Sequence, residues 1–243
     1  MQNDWTKDLL LYAHIGDLHV VDRTMQNYRD LLSIVAEIEI NGADRLDFVF
    51  LPGDNADNGT DEQYRLVATA LRMLTQPVFA ITGDHDMETG SLAPFARTLE
   101  SRQLPHTQSF SSVDCVFLDM SGEGRGGPDF RLPSRQTAHL ESAIVRARQR
   151  GRRVVVFMHT YPADLVEGDE QAIVNKLLSD PAVRLVDMGH THYNELSNDG
   201  QTVFAATRST GQIEEGPVGY SVVAVDGENV SWQFNCLKMK TRS

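Results

Sequence analysis

In the stretch LLLYAHIGDLH, residues 9–19, an apolar run passes directly into a short polar cluster, and this pattern indicates the fold class. Residues 9–15 have the length and composition of one buried strand, and the tetrapeptide Gly-Asp-Leu-His at 16–19 follows at its carboxyl end. Apolar residues then recur at helical spacing between Tyr28 and Ile38, which predicts an amphipathic helix ending near Gly42. A strand followed by a helix is the repeating unit of α/β folds.

The same alternation of strand and helix continues outward from this stretch. Further strands are predicted at 48–51, 78–81, 109–113, 115–119, 154–158 and 183–187, with helices at 61–74, 92–102, 134–150 (capped by Ser134) and 170–178. From Tyr193 onward, short alternating segments with the turn pairs Asp199-Gly200 and Asp226-Gly227 predict an antiparallel meander. We therefore expect an α/β fold of two packed sheets with helices outside, forming one domain of residues 1–243.

Composition limits the class of protein. The formal charge of -12 argues against nonspecific binding to nucleic acid or to anionic membranes, since both need a positive surface. No apolar run approaches the roughly 18 residues of a membrane span, and residues 1–8 do not resemble a secretory signal. We expect a cytoplasmic protein with no membrane partner. Cys115 and Cys236 form no CxxC pattern and are predicted to be reduced thiols.

Short polar clusters follow the predicted parallel strands, at the sheet edge where α/β proteins bind ligands. A single Gly-Asp after a strand is usually a turn, and a lone histidine is usually structural. Five such clusters in one chain favour a metal site, and mixed Asp and His ligands suit Zn, Mn or Fe. The clusters are Gly16-Asp17-Leu18-His19, Gly53-Asp54-Asn55, Gly83-Asp84-His85-Asp86, His159 and Gly189-His190-Thr191-His192.

These five blocks resemble the calcineurin-like metallophosphoesterase family, in particular its compact class III cyclic-nucleotide phosphodiesterase branch. The resemblance extends from Asp17 to the terminal hairpins. It implies a four-layer αββα sandwich of two mixed β-sheets flanked by helices, and two metal ions that share one carboxylate. By resemblance, one ion is held by Asp17, His19, Asp54 and His192, and the other by Asp54, Asp84, His159 and His190.

The resemblance also implies an activity: hydrolysis of a small phosphoester by metal-activated hydroxide, with phosphodiesters ahead of monoesters. His85 would protonate the leaving group or stabilise the phosphoryl oxygens, with Asp86 as the partner that tunes its pKa. Three alternatives stay open: a nuclease, a non-catalytic interaction module on the same fold, and a dinuclear hydrolase of another bond. A homodimer also stays open.

Two positions depart from the family pattern. Asp84 stands where the family usually has asparagine, which makes the centre one charge more negative; our hypothesis is that this favours a trivalent ion such as Fe(III) or lowers activity. Thr160 stands where the phosphodiesterase branch often has a second histidine.

Several arginine, histidine and tryptophan residues lie outside the five clusters. Arg125 and Arg208 are candidates to reach a substrate phosphate, whereas the basic run between Arg146 and Arg153 is interpreted as a solvated helix end. Structural, surface or packing roles are predicted for His14 in the first strand, His106 in a loop, His139 in a helix, Trp5 and Trp232.

Overall fold

Two mixed β-sheets pack face to face, and their strands follow the apolar runs of the sequence. The computed structural model describes residues 9–42, 45–99, 102–120, 130–211 and 216–237. Tyr12, Phe48 and Phe50 of one sheet meet Phe117 and Phe157 of the other, and the Phe50 and Phe157 ring centroids are 4.5 Å apart. The aromatic layer between the sheets is therefore the centre of the core.

The first sheet contains the strand with which the sequence analysis began. Its strands, in the spatial order β11-β10-β1-β2-β3, are β1 (Leu10–His14), β2 (Phe48–Leu51), β3 (Val78–Ala80), β10 (Gly219–Asp226) and β11 (Asn229–Cys236). The β1, β2 and β3 strands are parallel, and β10 pairs antiparallel with β1. The carboxyl ends of the three parallel strands therefore meet at one edge.

The second sheet supplies the opposite wall of the sandwich. Its strands, in the order β4-β5-β6-β7-β9-β8, are β4 (His106–Phe110), β5 (Val113–Phe117), β6 (Arg153–Phe157), β7 (Val183–Met188), β8 (Glu195–Asn198) and β9 (Val203–Ala206). The four central strands are parallel, whereas β4 and β8 form antiparallel edges.

Helices cover the outer faces of both sheets, as the predicted four-layer sandwich requires. They are α1 (Gln26–Gly42), α2 (Asp61–Leu71), α3 (Ala93–Thr98), α4 (Ser134–Gln149) and α5 (Asp169–Leu178). Apolar residues of α1 and α2 join the core of the first sheet, and those of α4 and α5 pack on the second. A capping box between Thr60 and Gln63 fixes the start of α2. Among the described residues, no helix is long and apolar enough to cross a bilayer.

The predicted break between two strands at Asp114 was wrong. The turn lies at Ser111, whose φ is 44°, and Asp114 is inside β5. Its carboxylate accepts hydrogen bonds from Arg152 Nε (2.7 Å) and Ser109 Oγ (2.7 Å). A charged side chain is tolerated in this buried strand because a guanidinium and a hydroxyl pair with it.

Several smaller predictions also need correction. The cap position of α4 is Pro133 and Ser134 is already helical, since proline is well suited to the entry of a helix. His106 belongs to β4 and not to a loop, α2 ends at Leu71 instead of residue 74, and α3 covers only 93–98.

The predicted carboxyl-terminal meander is divided between the two sheets. Both hairpin turns are confirmed, but β9 pairs parallel with β7 in the second sheet, whereas β10 and β11 return to the first. Trp5 and Arg125 lie outside the described residues.

Candidate metal centre

All seven predicted ligand residues lie on loops that leave the carboxyl ends of five parallel strands. The loop after β1 carries Asp17 and His19, those after β2, β3 and β6 carry Asp54, Asp84 and His159, and the loop after β7 carries His190 and His192. Three of these strands belong to the first sheet and two to the second. The seven side chains therefore meet where the two sheets open at the same edge.

The first cluster contains Asp17, His19, Asp54 and His192, whose ligand atoms all lie within 4.8 Å of one another. The Nε2 atoms of His19 and His192 are 3.1 Å apart, and His192 Nε2 is 3.5 Å from Asp17 Oδ2. His19 Nε2 lies 3.7 Å from Asp54 Oδ2. Two imidazole nitrogens facing two carboxylates at these distances enclose a space of the size that one cation fills.

The second cluster contains Asp54, Asp84, His159 and His190, again within 4.8 Å. His159 Nε2 is 3.4 Å from Asp54 Oδ2 and 3.2 Å from Asp84 Oδ1, and its Nδ1 lies 2.8 Å from the carbonyl oxygen of Pro52. That carbonyl accepts a hydrogen bond, so Nδ1 carries the hydrogen and Nε2 is free to coordinate. Asp54 belongs to both clusters.

The centre is closed on one side and open on the other. Asp17, His19, Asp54 and His159 are at most 1% exposed. In contrast, the side chains of Asp84, His190 and His192 are 20%, 34% and 25% exposed. A ligand from solvent therefore approaches the centre past these three residues.

Four of the seven residues have a left-handed backbone. The φ angles are 41° at His19, 50° at Asp54, 63° at His190 and 62° at His192. Within the described ranges, Ser111 is the remaining non-glycine residue with positive φ. Such conformations cost about 1–3 kcal/mol each and gather at functional sites, where the surrounding structure enforces them. Local strain therefore points to the same residues as the cluster geometry.

The glycines that precede the ligand residues leave room for the side chains of neighbouring ligands. A Cβ atom on Gly83 would lie 2.2 Å from Asp54 Oδ1, one on Gly189 2.2 Å from Asp17 Oδ1, and one on Gly53 2.5 Å from His159 Nδ1. Of these three, Gly53 alone has a positive φ. Gly53 is therefore required by its backbone conformation, whereas Gly83 and Gly189 are needed because a neighbouring ligand occupies the volume of a side chain.

Burial changes the pKa values of ligand residues in both clusters. Loss of solvent raises the pKa of Asp17 to about 8, and the neighbouring Asp54 carboxylate adds to this rise. Burial also lowers the pKa of His19 to about 3, so that its imidazole is neutral and able to coordinate. Burial likewise opposes ionisation of Asp84, but the neighbouring imidazoles of His159 and His190 outweigh it, and the pKa of Asp84 lies well below its usual range.

The donor set fits two cations. Asp17 Oδ1 is buried without a hydrogen-bond partner, while Oδ2 accepts from the backbone N–H of His190 (2.7 Å). An unpartnered buried carboxylate oxygen costs several kcal/mol, and a cation would remove this cost. Three carboxylates and four imidazoles in two groups, joined at Asp54, are ligands suited to first-row transition metals or zinc.

His85 stands beside this centre. Its backbone N–H donates to Asp54 Oδ1 (3.0 Å), its Nδ1 lies 2.8 Å from the Asp57 carbonyl oxygen, and its ring centroid is 4.5 Å from that of His19. Burial lowers the pKa of His85, but the Asp57 carbonyl and the carboxylates of Asp54 and Asp84 outweigh it, so the pKa is raised. Because Nδ1 faces an acceptor, Nε2 is the nitrogen available for proton transfer.

Asp86 does not contact His85 as the sequence analysis expected. Its fully buried carboxylate accepts hydrogen bonds from the N–H groups of Gly83 (3.0 Å) and Ala56 (3.2 Å), from Asn55, and from the hydroxyl of Tyr64 (2.6 Å). Burial and the nearby Asp54 raise the pKa of Asp86 to about 6. Asp86 thus ties the loop after β2 to the loop after β3, and consecutive residues of the short 3-10 turn at His85–Met87 point in different directions.

Asp57, Ser209, Thr210 and Gly211 were missed by the sequence analysis, although it named the adjacent Arg208. Asp57 Oδ1 is 3.5 Å from His19 Nδ1, and His19, Asp57 and His85 form a third group of metal-ligand type. The carbonyl oxygen of Asp17 accepts from Thr210 N (2.9 Å), Gly211 N (3.1 Å) and Ser209 Oγ (2.8 Å). The only sequence signal for Asp57 is its place three residues after Asp54.

Residues that the sequence analysis set aside are placed as follows. His14 is fully buried, His139 Nε2 lies 2.9 Å from Thr107 Oγ1, and Thr160 is buried with its hydroxyl donating to Asp164 (3.1 Å). Trp232 packs against the core, as predicted.

Three arginines of the basic run pair with carboxylates. Arg148 pairs with Asp180 (3.2 Å), Arg152 with Asp114, and Arg153 with Glu228. Arg208 is partly buried, and its backbone N–H donates to Asn194. Arg148, at the helix end, is 63% exposed, whereas Arg152 and Arg153, which follow the helix, are 21% and 31% exposed.

Comparison with known sequences identifies the family. The profile of the calcineurin-like phosphoesterase family matches residues 10–194, which is more than half of the chain. The chain therefore belongs to this family and is a phosphoester hydrolase. A probable cyclic nucleotide phosphodiesterase of Coxiella burnetii is 25% identical over 213 residues, covering 82% of each chain.

Solved structures show the same fold. A dimetal phosphatase from Danio rerio has a TM-score of 0.78 at 13% identity, covering 93% of this chain and 96% of that protein. The purple acid phosphatase PPD1 from yellow lupin has a TM-score of 0.68 at 11% identity, covering 94% of this chain and 51% of that protein. The predicted sandwich of two mixed sheets flanked by helices is thereby confirmed.

Proposed function

We propose that this calcineurin-like phosphoesterase hydrolyses small phosphodiesters at a centre of two metal ions. The observation that carries the proposal is the pair of four-residue clusters that share Asp54. Asp17, His19, Asp54 and His192 hold one ion, and Asp54, Asp84, His159 and His190 hold the other. Mn, Fe and Zn are the candidates, because each accepts mixed carboxylate and imidazole ligands.

Two metal ions bound by these residues would supply a water of lowered pKa as the nucleophile and would neutralise charge that develops on the phosphoryl oxygens. The protein residues supply the remaining requirements. Asp84, His190 and His192 line the open side, where the substrate enters. His85 is oriented through Nδ1 by the Asp57 carbonyl, which leaves Nε2 to deliver a proton to the departing alkoxide.

A diester is favoured over a monoester by charge. Asp84 adds a negative charge that the asparagine usual in the family lacks, and this weakens the attraction of the centre for anions. A diester carries one negative charge and a monoester close to two at neutral pH, so the diester is repelled less. The Coxiella relative, described as a probable cyclic nucleotide phosphodiesterase, supports the same substrate class. The net charge of -12 disfavours long nucleic acids.

The test is a substrate panel on protein of known metal content. Apo protein is loaded with Mn²⁺, Zn²⁺ or Fe, and turnover is measured on bis-p-nitrophenyl phosphate, p-nitrophenyl phosphate and single-stranded DNA. Asp54→Asn is compared with Asp61→Asn, whose carboxylate is about half exposed and pairs with Arg97. We expect metal-dependent hydrolysis of the diester above the monoester, abolished in Asp54→Asn and kept in Asp61→Asn. Cleavage of DNA alone, or full activity of Asp54→Asn, would contradict the proposal.

A further inference from the structure

A fully buried polar triad links the two sheets directly behind the metal centre. Tyr12 and His14 belong to β1 of the first sheet, and Asp187 belongs to β7 of the second. The Tyr12 hydroxyl donates to Asp187 Oδ2 at 2.6 Å, and His14 Nδ1 lies 2.8 Å from Asp187 Oδ1. All three side chains are 0% exposed. We refer to Tyr12, His14 and Asp187 as the inter-sheet triad.

Aromatic rings surround the inter-sheet triad. Tyr12 stacks on Phe48, with ring centroids 4.8 Å apart, and meets the edge of Phe157 at 5.3 Å. The His14 ring lies 4.9 Å from that of Phe50. With no solvent in contact, the carboxylate of Asp187 depends on the two groups that face it.

Two residues of the inter-sheet triad are close in sequence to predicted metal ligands. His14 is three residues before Asp17, and Asp187 is three residues before His190. The loops after β1 and β7 meet directly, because His190 N donates to Asp17 Oδ2 (2.7 Å), and within the second sheet Met158 N donates to the Asp187 carbonyl (3.3 Å), which joins the ends of β6 and β7. A slide of β1 relative to β7 would therefore move Asp17 away from His190 and His192.

Apolar packing alone does not prevent such a slide. Contacts between apolar faces are non-directional, so the aromatic layer favours close approach of the sheets without fixing their relative position along the strands. Hydrogen bonds to a buried carboxylate are directional, and their loss leaves an unpaired charge. A displacement of about 1 Å along the line of either triad contact would bring it beyond normal hydrogen-bond length, and a slide across that line would bend its geometry.

We propose that the inter-sheet triad is a positioning device that sets the distance between the ligands after β1 and those after β7. Its three members are positioning residues, since they act on the centre through the backbone of two strands. This inference rests on the proposed two-metal function and adds residues that belong to neither metal cluster.

The experiment measures Mn²⁺ affinity of the apo protein, using electron paramagnetic resonance to follow free Mn²⁺. Tyr12→Phe and Asp187→Asn each remove part of the triad with little change in size. The control is Thr202→Val. Thr202 is fully buried, and its hydroxyl donates to the carbonyls of Leu178 (2.9 Å) and Val183 (3.3 Å), at the end of β7 away from the centre.

We expect Mn²⁺ binding to weaken about tenfold in both triad variants and to stay unchanged in Thr202→Val, as is typical when supporting contacts of metal ligands are removed. Urea midpoints of the apo forms serve as the measure of general stability. If the triad variants lose stability like Thr202→Val but keep wild-type Mn²⁺ affinity, the inference is wrong and the proposed function stands. If the wild-type chain binds no Mn²⁺, Zn²⁺ or Fe, the proposed function fails, and the inference with it. Should Asp187→Asn fail to fold, Tyr12→Phe decides.

Discussion

Replacing Gly83 by alanine would test the structure at the carboxylate that both metal clusters share. The added Cβ would lie 2.2 Å from Asp54 Oδ1, 2.6 Å from His159 Cε1 and 2.7 Å from Asp54 N. Ordinary contacts begin at 3.4 Å, so Asp54, His159 or the loop that carries Gly83 must move by more than about 1 Å. Because Gly83 has no positive φ, the change tests space and not backbone strain.

A misplacement of about 1 Å at a reactive centre can lower turnover about a hundredfold, and we expect that loss for Gly83→Ala. Turnover on bis-p-nitrophenyl phosphate and bound metal per chain are measured together, and both should fall. The control is Gly90→Ala, where a Cβ meets nothing within 4 Å although φ is +75°. Gly90→Ala should lose some stability and keep its turnover. Turnover and metal content near wild type in Gly83→Ala would show that the space beside Asp54 is not needed for the centre.

Three further predictions concern single side chains. His85→Ala should lower turnover by roughly 10²- to 10⁴-fold while bound metal per chain stays unchanged, and loss of both ions on elemental analysis would show that its role is structural. Asp84→Asn should lower KM for an anionic diester on the order of tenfold or change the metal content, since it removes one negative charge; unchanged content and kinetics would remove the charge hypothesis. Tyr64→Phe should lower the free energy of unfolding in urea by about 1.5–3 kcal/mol, because Asp86 loses a buried donor. The exposed Thr69→Val serves as the control for Tyr64→Phe, and an equal loss in both would argue against the Asp86 contact.

The fold and the ligand loops could be predicted from sequence because their signals are local. An apolar run followed by glycine and a carboxylate identifies both the strand and the loop, and parallel strands bring such loops to one edge. Asp17, Asp54 and Asp84 are all found in this way. The order of the strands within the sheets could not be predicted in this way. The pairing of β9 with β7 depends on contacts between two segments, and the local sequence pattern of each segment does not indicate its partner.

The errors concern residues whose partners are distant in sequence. Asp114 was interpreted as a strand break because its partner Arg152 lies 38 residues away. Asp86 was paired with its neighbour His85, whereas its donors include Asn55 and Tyr64, 31 and 22 residues away. Asp57 was missed because its distance from His19 depends on the packing of the loops after β1 and β2.

The most direct test of the account is electron paramagnetic resonance of the wild-type chain loaded with Mn²⁺. Two Mn²⁺ ions that share the Asp54 carboxylate should be magnetically coupled and give a dimanganese spectrum, with two ions bound per chain. Substitution of Asp54 by alanine should remove this spectrum, because both clusters lose the same ligand. Binding of a single ion, or of two ions with uncoupled spectra, would contradict the shared centre on which the proposed chemistry depends.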